Sequence, residues 1–241
     1  MSGRRLPLWA GWTLALAVAA LCSALGAWQL QRMHAKQGLL DASAQVLRER
    51  RAQPLELAAD PARGRSYDWA AGTGFFLEAP AVLLDNQSRE GRAGVRAYRA
   101  FQPTAAGSTP LLVELGWLPL PADRTLPVVP APDASGVSGL LLPPPSPGLV
   151  TSAAAVQADG TVLLVALDPR VVAEALRLPA LAPRVLRLDP ALPPVYARDL
   201  DLLPNTLPPE RHLGYAVQWF SLALAVLVIA LLLTLRGKWR R

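Results

Sequence analysis

Two long uncharged apolar runs, one near each end of the chain, limit its fold more than any other feature. Residues 6–31 and 213–235 contain no Asp, Glu, Lys or Arg, and both are rich in Ala and Leu. A helix of about 20 predominantly apolar residues crosses the hydrocarbon core of a bilayer. The sequence therefore predicts two transmembrane helices, at residues 9–31 and 212–235.

The charged residues separate into a nearly neutral centre and basic flanks. All 18 Asp and Glu lie between residues 41 and 211, together with 16 Arg, so this region has a net charge of −2. The other eight basic residues border the apolar runs, at Arg4, Arg5, Arg32, Lys36, Arg236, Lys238, Arg240 and Arg241. The formal charge of +6 thus comes from the membrane flanks. We expect no nucleic-acid partner, because no basic patch is interleaved with aromatic residues.

The positive-inside rule predicts the orientation. Basic residues before the first run and after the second place residues 1–8 and 236–241 in the cytoplasm. The central domain, residues 32–211, would then lie outside. Arg32 and Lys36 count weakly against this orientation, but long segments translocate largely regardless of charge. A cleaved signal peptide is the alternative, since MSGRR and SALGA resemble its charged and cleavage regions.

The central region has the pattern of an α+β domain that is rich in strands. The first helix is predicted to continue outward through QGLLDASAQVLRERRAQ until Pro54 ends it. DPRVVAEALRL predicts a second helix, with Asp168 as its cap and Pro169 in its first turn. The Pro-rich residues 179–205 are predicted to return the chain to the membrane without regular structure. Cys22 is the only cysteine, so the domain has no intramolecular disulfide.

Five short stretches of the central region have the apolar or alternating pattern of β-strands, which predicts five or more strands. Gly, Pro, Asn and Asp separate them, as is typical of turns between strands. The stretches are FFLEAPAVLLDNQS, GVRAYRAF, TPLLVELGWLPL, GVSGLLLP and GTVLLVAL. The predicted fold class is therefore a membrane protein in which two transmembrane helices flank a β-rich α+β extracytoplasmic domain.

The residue combinations that common enzyme mechanisms need do not occur in the sequence. The two histidines, His34 and His212, both lie at the membrane boundaries, and no G-x-S-x-G or phosphate-binding loop is present. Clustered Cys and His, which a zinc site requires, are lacking as well. We therefore expect no enzyme. An enzyme that acts on a lipid or on heme is the least favoured alternative.

Polar and aromatic side chains cluster at the start of the second apolar run, in RHLGYAVQWF. On a helix, His212, Tyr215 and Trp219 stand at positions i, i+3 and i+7 and form one stripe. Gly214 is predicted to allow the close approach of a neighbouring helix or a flat ligand.

A second polar and aromatic cluster lies at the outer end of the first run. Trp28, Arg32 and Lys36 stand at positions i, i+4 and i+8, with Gln29 and Met33 beside them. Because the two spans are antiparallel, both clusters are expected at the same depth, where a pocket would form between the helices.

The alternative interpretation of both clusters is that they have no binding function and only anchor the helices in the membrane. Trp and Tyr form aromatic belts at membrane interfaces, and the charged ends of Arg and Lys reach up to lipid phosphates. Gln29 and Gln218 favour more than anchoring, since an amide within a membrane usually bonds to another helix.

The two end segments also carry a resemblance to a known family. LGAWQLQRMHAK and PERHLGYAVQWF resemble the two signatures of the surfeit locus protein 1 family, whose members span the membrane twice and assist assembly of cytochrome c oxidase. VLLDNQSREGRAGVRAYRAFQP, LLVELGWLPLPADR, VALDPRVVAEAL and PVYARD resemble its central pieces in the same order. One departure is clear, because Leu115 stands where the family usually has an Arg before Gly-Trp.

The resemblance implies a function in building the respiratory chain. It implies a chaperone in the cell inner membrane, with a periplasmic central domain, that delivers heme a to the oxidase catalytic subunit and meets other assembly factors. His212, in the HLGY motif, is implied as the heme iron ligand. Tyr215 and Trp219 would pack on the porphyrin, and Arg32 or Lys36 would pair with its propionates.

Two alternatives remain open within this resemblance. The protein would instead be a heme-free scaffold that stabilises an oxidase assembly intermediate through protein contacts, with the aromatic stripe facing a partner helix. His34 is interpreted as an ordinary exposed helix residue, although its level near His212 leaves a second axial contact open.

Overall fold

The computed structural model describes residues 7–145, 153–193, 196–200 and 207–239. The chain forms two compact units. Residues 1–41 and 206–241 form the helical unit, and residues 42–205 form the β unit. This arrangement confirms that two long apolar helices flank a β-rich domain.

The two long helices are α1, Leu8–Glu49, and α3, Pro209–Trp239. Both are long and apolar enough to cross a membrane. In the most apolar 18 residues of each helix, only 17% (α1) and 11% (α3) are buried. The core helix of a soluble protein is mostly buried. Membrane insertion and the predicted span limits stay predictions. The predicted end of α1 at Pro54 was wrong, because α1 ends at Glu49, where Arg50 adopts a positive φ of 42°.

In the helical unit, α1 and α3 lie antiparallel along one seam. The seam residues recur every three or four positions, as in coiled coils. On α1 they include Ala15, Ala19, Cys22, Gly26 and Gln29, and on α3 they include His212, Ala216, Trp219 and Ala223. Most of them are small, which lets the two backbones approach closely.

A tight contact between the two helices occurs at a glycine other than the one that the sequence predicted. A Cβ atom on Gly26 would lie 2.8 Å from the end of the Phe220 ring, so a larger residue there would force that ring to shift. A Cβ atom on Gly214 would meet nothing within 4 Å. The predicted close approach of α1 to Gly214 was therefore wrong, because Gly214 lies on the face of α3 that points away from α1. The predicted approach of a flat ligand to Gly214 stays a prediction.

Within the described residues, the β unit contains one sheet of eight strands in the order β1-β5-β8-β4-β3-β2-β7-β6. The strands are β1 (Asp68–Phe76), β2 (Val82–Arg89), β3 (Arg92–Pro103), β4 (Leu111–Pro119), β5 (Gly136–Leu142), β6 (Ala154–Val156), β7 (Val162–Leu164) and β8 (Val185–Leu188). Strand β1 pairs with β5 and also with β3. The strands β1, β5, β8, β4 and β3 therefore form a closed ring. Most pairs are antiparallel, and β2–β7 and β4–β8 are parallel.

All five predicted stretches contribute strands, but the sequence missed others. The short strand β6 was not predicted, and β8 lies in the region that was predicted to be an irregular connection. Prolines flank β8 and two arginines interrupt its apolar pattern, so RVLRL does not resemble a strand that is buried on both faces. The helix prediction at residue 168 is confirmed: the Asp168 side chain accepts a hydrogen bond from the backbone N–H of Arg170 at 2.9 Å, and α2 spans Pro169–Ala175.

Hydrophobic side chains pack against both faces of the sheet. One cluster contains Leu83, Phe101 and Leu186, and the other contains Val82, Leu112 and Val172 of α2. Leu115 is fully buried in the first cluster, so the position where the family usually has an Arg is a core position here.

Two groups of buried charges lie within the β unit, and neither was predicted. The Glu114 carboxylate on β4 pairs with Arg96 of β3 and with Arg187 of β8, and the Tyr98 hydroxyl donates to it at 3.1 Å. In the second group, the Asp68 carboxylate on β1 pairs with Arg63 and with the fully buried Arg184. In the sequence, each carboxylate is far from at least one of its arginine partners. Only the pairing of the strands brings them together, so the sequence showed no charge cluster.

A motif glycine and a motif tryptophan also meet across two strands. A Cβ atom on Gly94 of β3 would lie 2.3 Å from the backbone oxygen of Leu118 and 2.5 Å from the ring of Trp117. The GVRAY and LGWLP segments, which resemble the family at separate places in the sequence, therefore pack directly on each other.

Candidate functional site

The most unusual polar residue of the helical unit is His212, in the first turn of α3. It is only 9% exposed, and its Nδ1 atom lies 2.7 Å from Oε1 of Gln29 on α1. An amide oxygen can only accept, so Nδ1 donates its hydrogen to Gln29. In the neutral imidazole, Nε2 then carries the lone pair.

The Nε2 atom of His212 is buried and has no hydrogen-bond partner among the residues that the structure describes. Buried polar atoms are nearly always paired, so an unpaired one needs an explanation. Histidines that ligate metals usually donate their other ring N–H to a carboxylate, a carbonyl oxygen or water. His212 has this arrangement, with the Gln29 amide oxygen as the acceptor and Nε2 left for a ligand.

The surroundings of His212 suit an iron that brings most of its own ligands. Among the described residues, no group of three or more His, Cys, Asp and Glu side chains could hold a bare metal ion. A heme iron needs only an axial ligand from the protein, and histidine is a common one. Because Nε2 is buried, a heme could reach it only if the side chains that cover it moved aside.

The residues of the predicted aromatic stripe do not all face α1. Trp219 is half-buried and packs against Ala19, Cys22 and Ala223 in the seam between the helices. Tyr215 is 38% exposed and lies at the outward edge of this face. The position that follows His212 in the seam is Ala216 rather than Tyr215. Tyr215 therefore borders the site instead of completing a stripe towards α1.

The basic and aromatic residues that cluster on α1 also point in different directions. The Arg32 guanidinium lies 5.7 Å from the centre of the exposed Trp28 ring, on the outer face of the helix. The Lys36 ammonium donates to the backbone oxygen of Leu207, just before α3, at 2.5 Å. Lys36 thus faces the start of α3 and Arg32 faces away from the seam. His34 is exposed, as expected.

The sequence did not predict which residue Gln29 contacts. Its amide indicated a bond between helices, but several polar residues on α3 were possible partners. The choice of His212 follows from the seam, which brings position 29 of α1 against position 212 of α3.

Comparison with protein families decides the assignment. The family model described as SURF1 family matches residues 16–224, which is most of the chain. The chain belongs to the SURF1 family. The match includes both Gln29 and His212, and the SURF1 family is known for assembly of cytochrome oxidase. A comparison with individually curated proteins gave no match.

Proposed function

We propose that this SURF1 protein assists assembly of cytochrome c oxidase by binding heme a through Nε2 of His212 and passing it to the catalytic subunit. The observation that carries the proposal is the buried, unpartnered Nε2 atom, whose ring is held by Gln29. The iron brings four porphyrin nitrogens, so one histidine from the protein suffices. The protein is not expected to act as an enzyme.

Other residues of the site would hold the periphery of the heme. Trp219 lies two turns from His212 on the same face of α3, where its ring would pack on the porphyrin. Tyr215 would contact the exposed edge. Lys36 and Arg32 carry positive charges on α1 one to two turns beyond Gln29, and they would pair with the two propionate carboxylates.

The basic residues that flank the two helices support a position of this site at the outer face of the cell inner membrane. With both termini in the cytoplasm, the Gln29 end of α1 and the start of α3 lie on the periplasmic side. The β unit would then be periplasmic, where it would contact the catalytic subunit or other assembly factors.

The test is to measure heme on the full-length protein, purified in detergent from cells that synthesise heme a. His212→Asn keeps a side chain that can bond to Gln29 but removes the imidazole. We expect the heme bound per protein to fall about tenfold or more, because the iron loses its protein ligand. The optical spectrum and the pyridine hemochrome assay measure the loss.

His34→Asn is the matched control, since His34 is exposed on α1 and should retain heme as the wild type does. A colourless wild-type protein, or a His212 variant that binds heme as well as the wild type, would overturn the proposal. The heme-free scaffold would then be preferred, because the His212–Gln29 bond would serve only to dock α3 on α1.

Replacement of Gln29 separates these two functions further. Gln29 would act as a positioning residue, because it fixes the ring and the tautomer of His212. We expect Gln29→Ala to weaken heme retention by about 10–100-fold, the usual effect of losing such a partner. A titration with heme measures the affinity, and Gln31→Ala, an exposed site on the same helix, is the control. If Gln29→Ala binds heme normally, the bond has no part in ligation.

A further inference from the structure

A second feature of the helical unit lies at the opposite end of the helix pair from His212. A cavity of about 420 Å³ opens between the start of α1 and the last turns of α3. We call it the terminal groove, and its walls include Pro7, Leu8, Trp12, Val18, Val226 and Leu233. Its volume lies within the roughly 300–1,000 Å³ of typical ligand sites.

The polar groups in the wall of the terminal groove are already paired. The Trp12 indole N–H donates to the Thr234 hydroxyl at 3.1 Å, and that hydroxyl donates to the backbone oxygen of Ala230 at 2.8 Å. The surface that remains is mostly hydrocarbon. The terminal groove therefore fits a flexible apolar chain better than a polar molecule.

The sequence around the terminal groove is strongly basic. Arg4 and Arg5 precede Pro7 by three and two positions, and Arg236 follows Thr234 by two and is exposed. Lys238, Arg240 and Arg241 come next in the chain. No Asp or Glu occurs in residues 1–40 or 211–241. Arg236 thus brings an exposed cation to the end of α3 at which the groove opens, and the sequence on either side of the groove carries further basic residues and no carboxylate.

We infer that the terminal groove is a binding site for an anionic phospholipid. One acyl chain would fill the apolar groove, and the headgroup phosphate would lie beside Arg236, at the basic end of α3. Basic sites between transmembrane helices on the cytoplasmic side bind anionic headgroups, with about 1 kcal/mol for each Lys or Arg near the surface. The inference does not depend on heme binding, because His212 is at the other end of the helix pair.

Filling the terminal groove tests the acyl-chain part. A Cβ atom on Gly11 would meet nothing within 4 Å, so Gly11→Phe adds a ring to the groove without striking the protein. Gly38 is equally open but lies at the other end of α1, which makes Gly38→Phe a matched control. The full-length protein would be prepared from cells without heme a and examined by native mass spectrometry with added phosphatidylglycerol or phosphatidylcholine.

We expect the wild type to retain phosphatidylglycerol at least about fivefold better than phosphatidylcholine, which corresponds to roughly one basic contact. Gly11→Phe should lose about fivefold or more of this retention, and Gly38→Phe should keep it. Equal retention of the two lipids would overturn the inference, and so would normal retention by Gly11→Phe.

Removal of charge tests the headgroup part. Arg236→Gln combined with Lys238→Gln should reduce retention of phosphatidylglycerol about fivefold, to the level of phosphatidylcholine, and leave phosphatidylcholine unchanged. Arg211→Gln removes an exposed charge at the other end of α3 and should have no effect. If Arg211→Gln reduces retention as much as the double variant, the headgroup does not bind beside the terminal groove.

Discussion

Glu114→Gln should destabilise the β unit by about 3–5 kcal/mol, the usual cost of removing one partner from a buried ion pair. Glu114 is 2% exposed, and the two guanidinium groups that it balances belong to Arg96 and Arg187, which are 7% and 3% exposed. Burial raises the pKa of Glu114, but the two arginines outweigh burial and hold the pKa below its usual value. The Gln variant keeps the shape of the side chain and leaves two positive charges without their counterion.

Pulse proteolysis of the full-length protein in detergent, over a series of guanidinium concentrations, would measure the midpoint of unfolding of the β unit. Glu90→Gln is the control, because the Glu90 side chain is 84% exposed in its ion pair with Arg89 and should matter little. Joint replacement of Arg96 and Arg187 by Met and of Glu114 by Leu should restore much of the stability, since no charge is then buried. A midpoint for Glu114→Gln equal to that of Glu90→Gln would show that the buried carboxylate is not needed.

Asp68→Asn should cost about 3 kcal/mol by the same mechanism. The Arg184 side chain, which is fully buried, donates to the Asp68 carboxylate at 2.7 Å. It also donates to the backbone oxygens of Ser66 at 2.9 Å and Leu141 at 3.0 Å. These carbonyl groups remain in the variant, so we expect a loss at the lower end of the range for Glu114.

Acid should reveal the same ion pair. Burial raises the pKa of Asp68, but the hydrogen bonds and charges of Arg63 and Arg184 outweigh it, so the net pKa is lowered. A carboxyl whose pKa is lower in the folded state stabilises that state above its unfolded pKa, about 3.9 for Asp. This stabilisation is lost as the pH falls below that value and through the folded pKa.

The difference in stability between the wild type and Asp68→Asn should therefore be constant above about pH 5 and narrow below about pH 4. Pulse proteolysis at a series of pH values would measure it. Asp133→Asn, at a carboxylate outside both buried groups, should follow the wild type throughout. A gap that persists unchanged into strong acid would contradict the assignment of the stabilisation to ionised Asp68.

The sequence alone determined the features that depend on local pattern. Long uncharged runs with basic flanks were enough for two apolar helices, because helix length and hydropathy are properties of contiguous residues. Five alternating stretches were enough for a β-rich centre, and Asp168 followed by Pro169 placed α2. The end motifs were enough for the family, since LGAWQLQRMHAK and RHLGYAVQWF retain their signatures.

Tertiary structure alone decided which distant residues meet. His212 and Gln29 are 183 positions apart, and only the antiparallel seam of the helical unit brings their side chains into contact. Strand β8 looked like a polar connection because Arg184 precedes it and Arg187 lies within it. Both arginines are in fact buried, and their carboxylate partners lie on β1 and β4. A pattern of hydrophobicity records whether a side chain is apolar. It does not record which partner compensates a buried charge, and that compensation exists only once the strands and helices have packed.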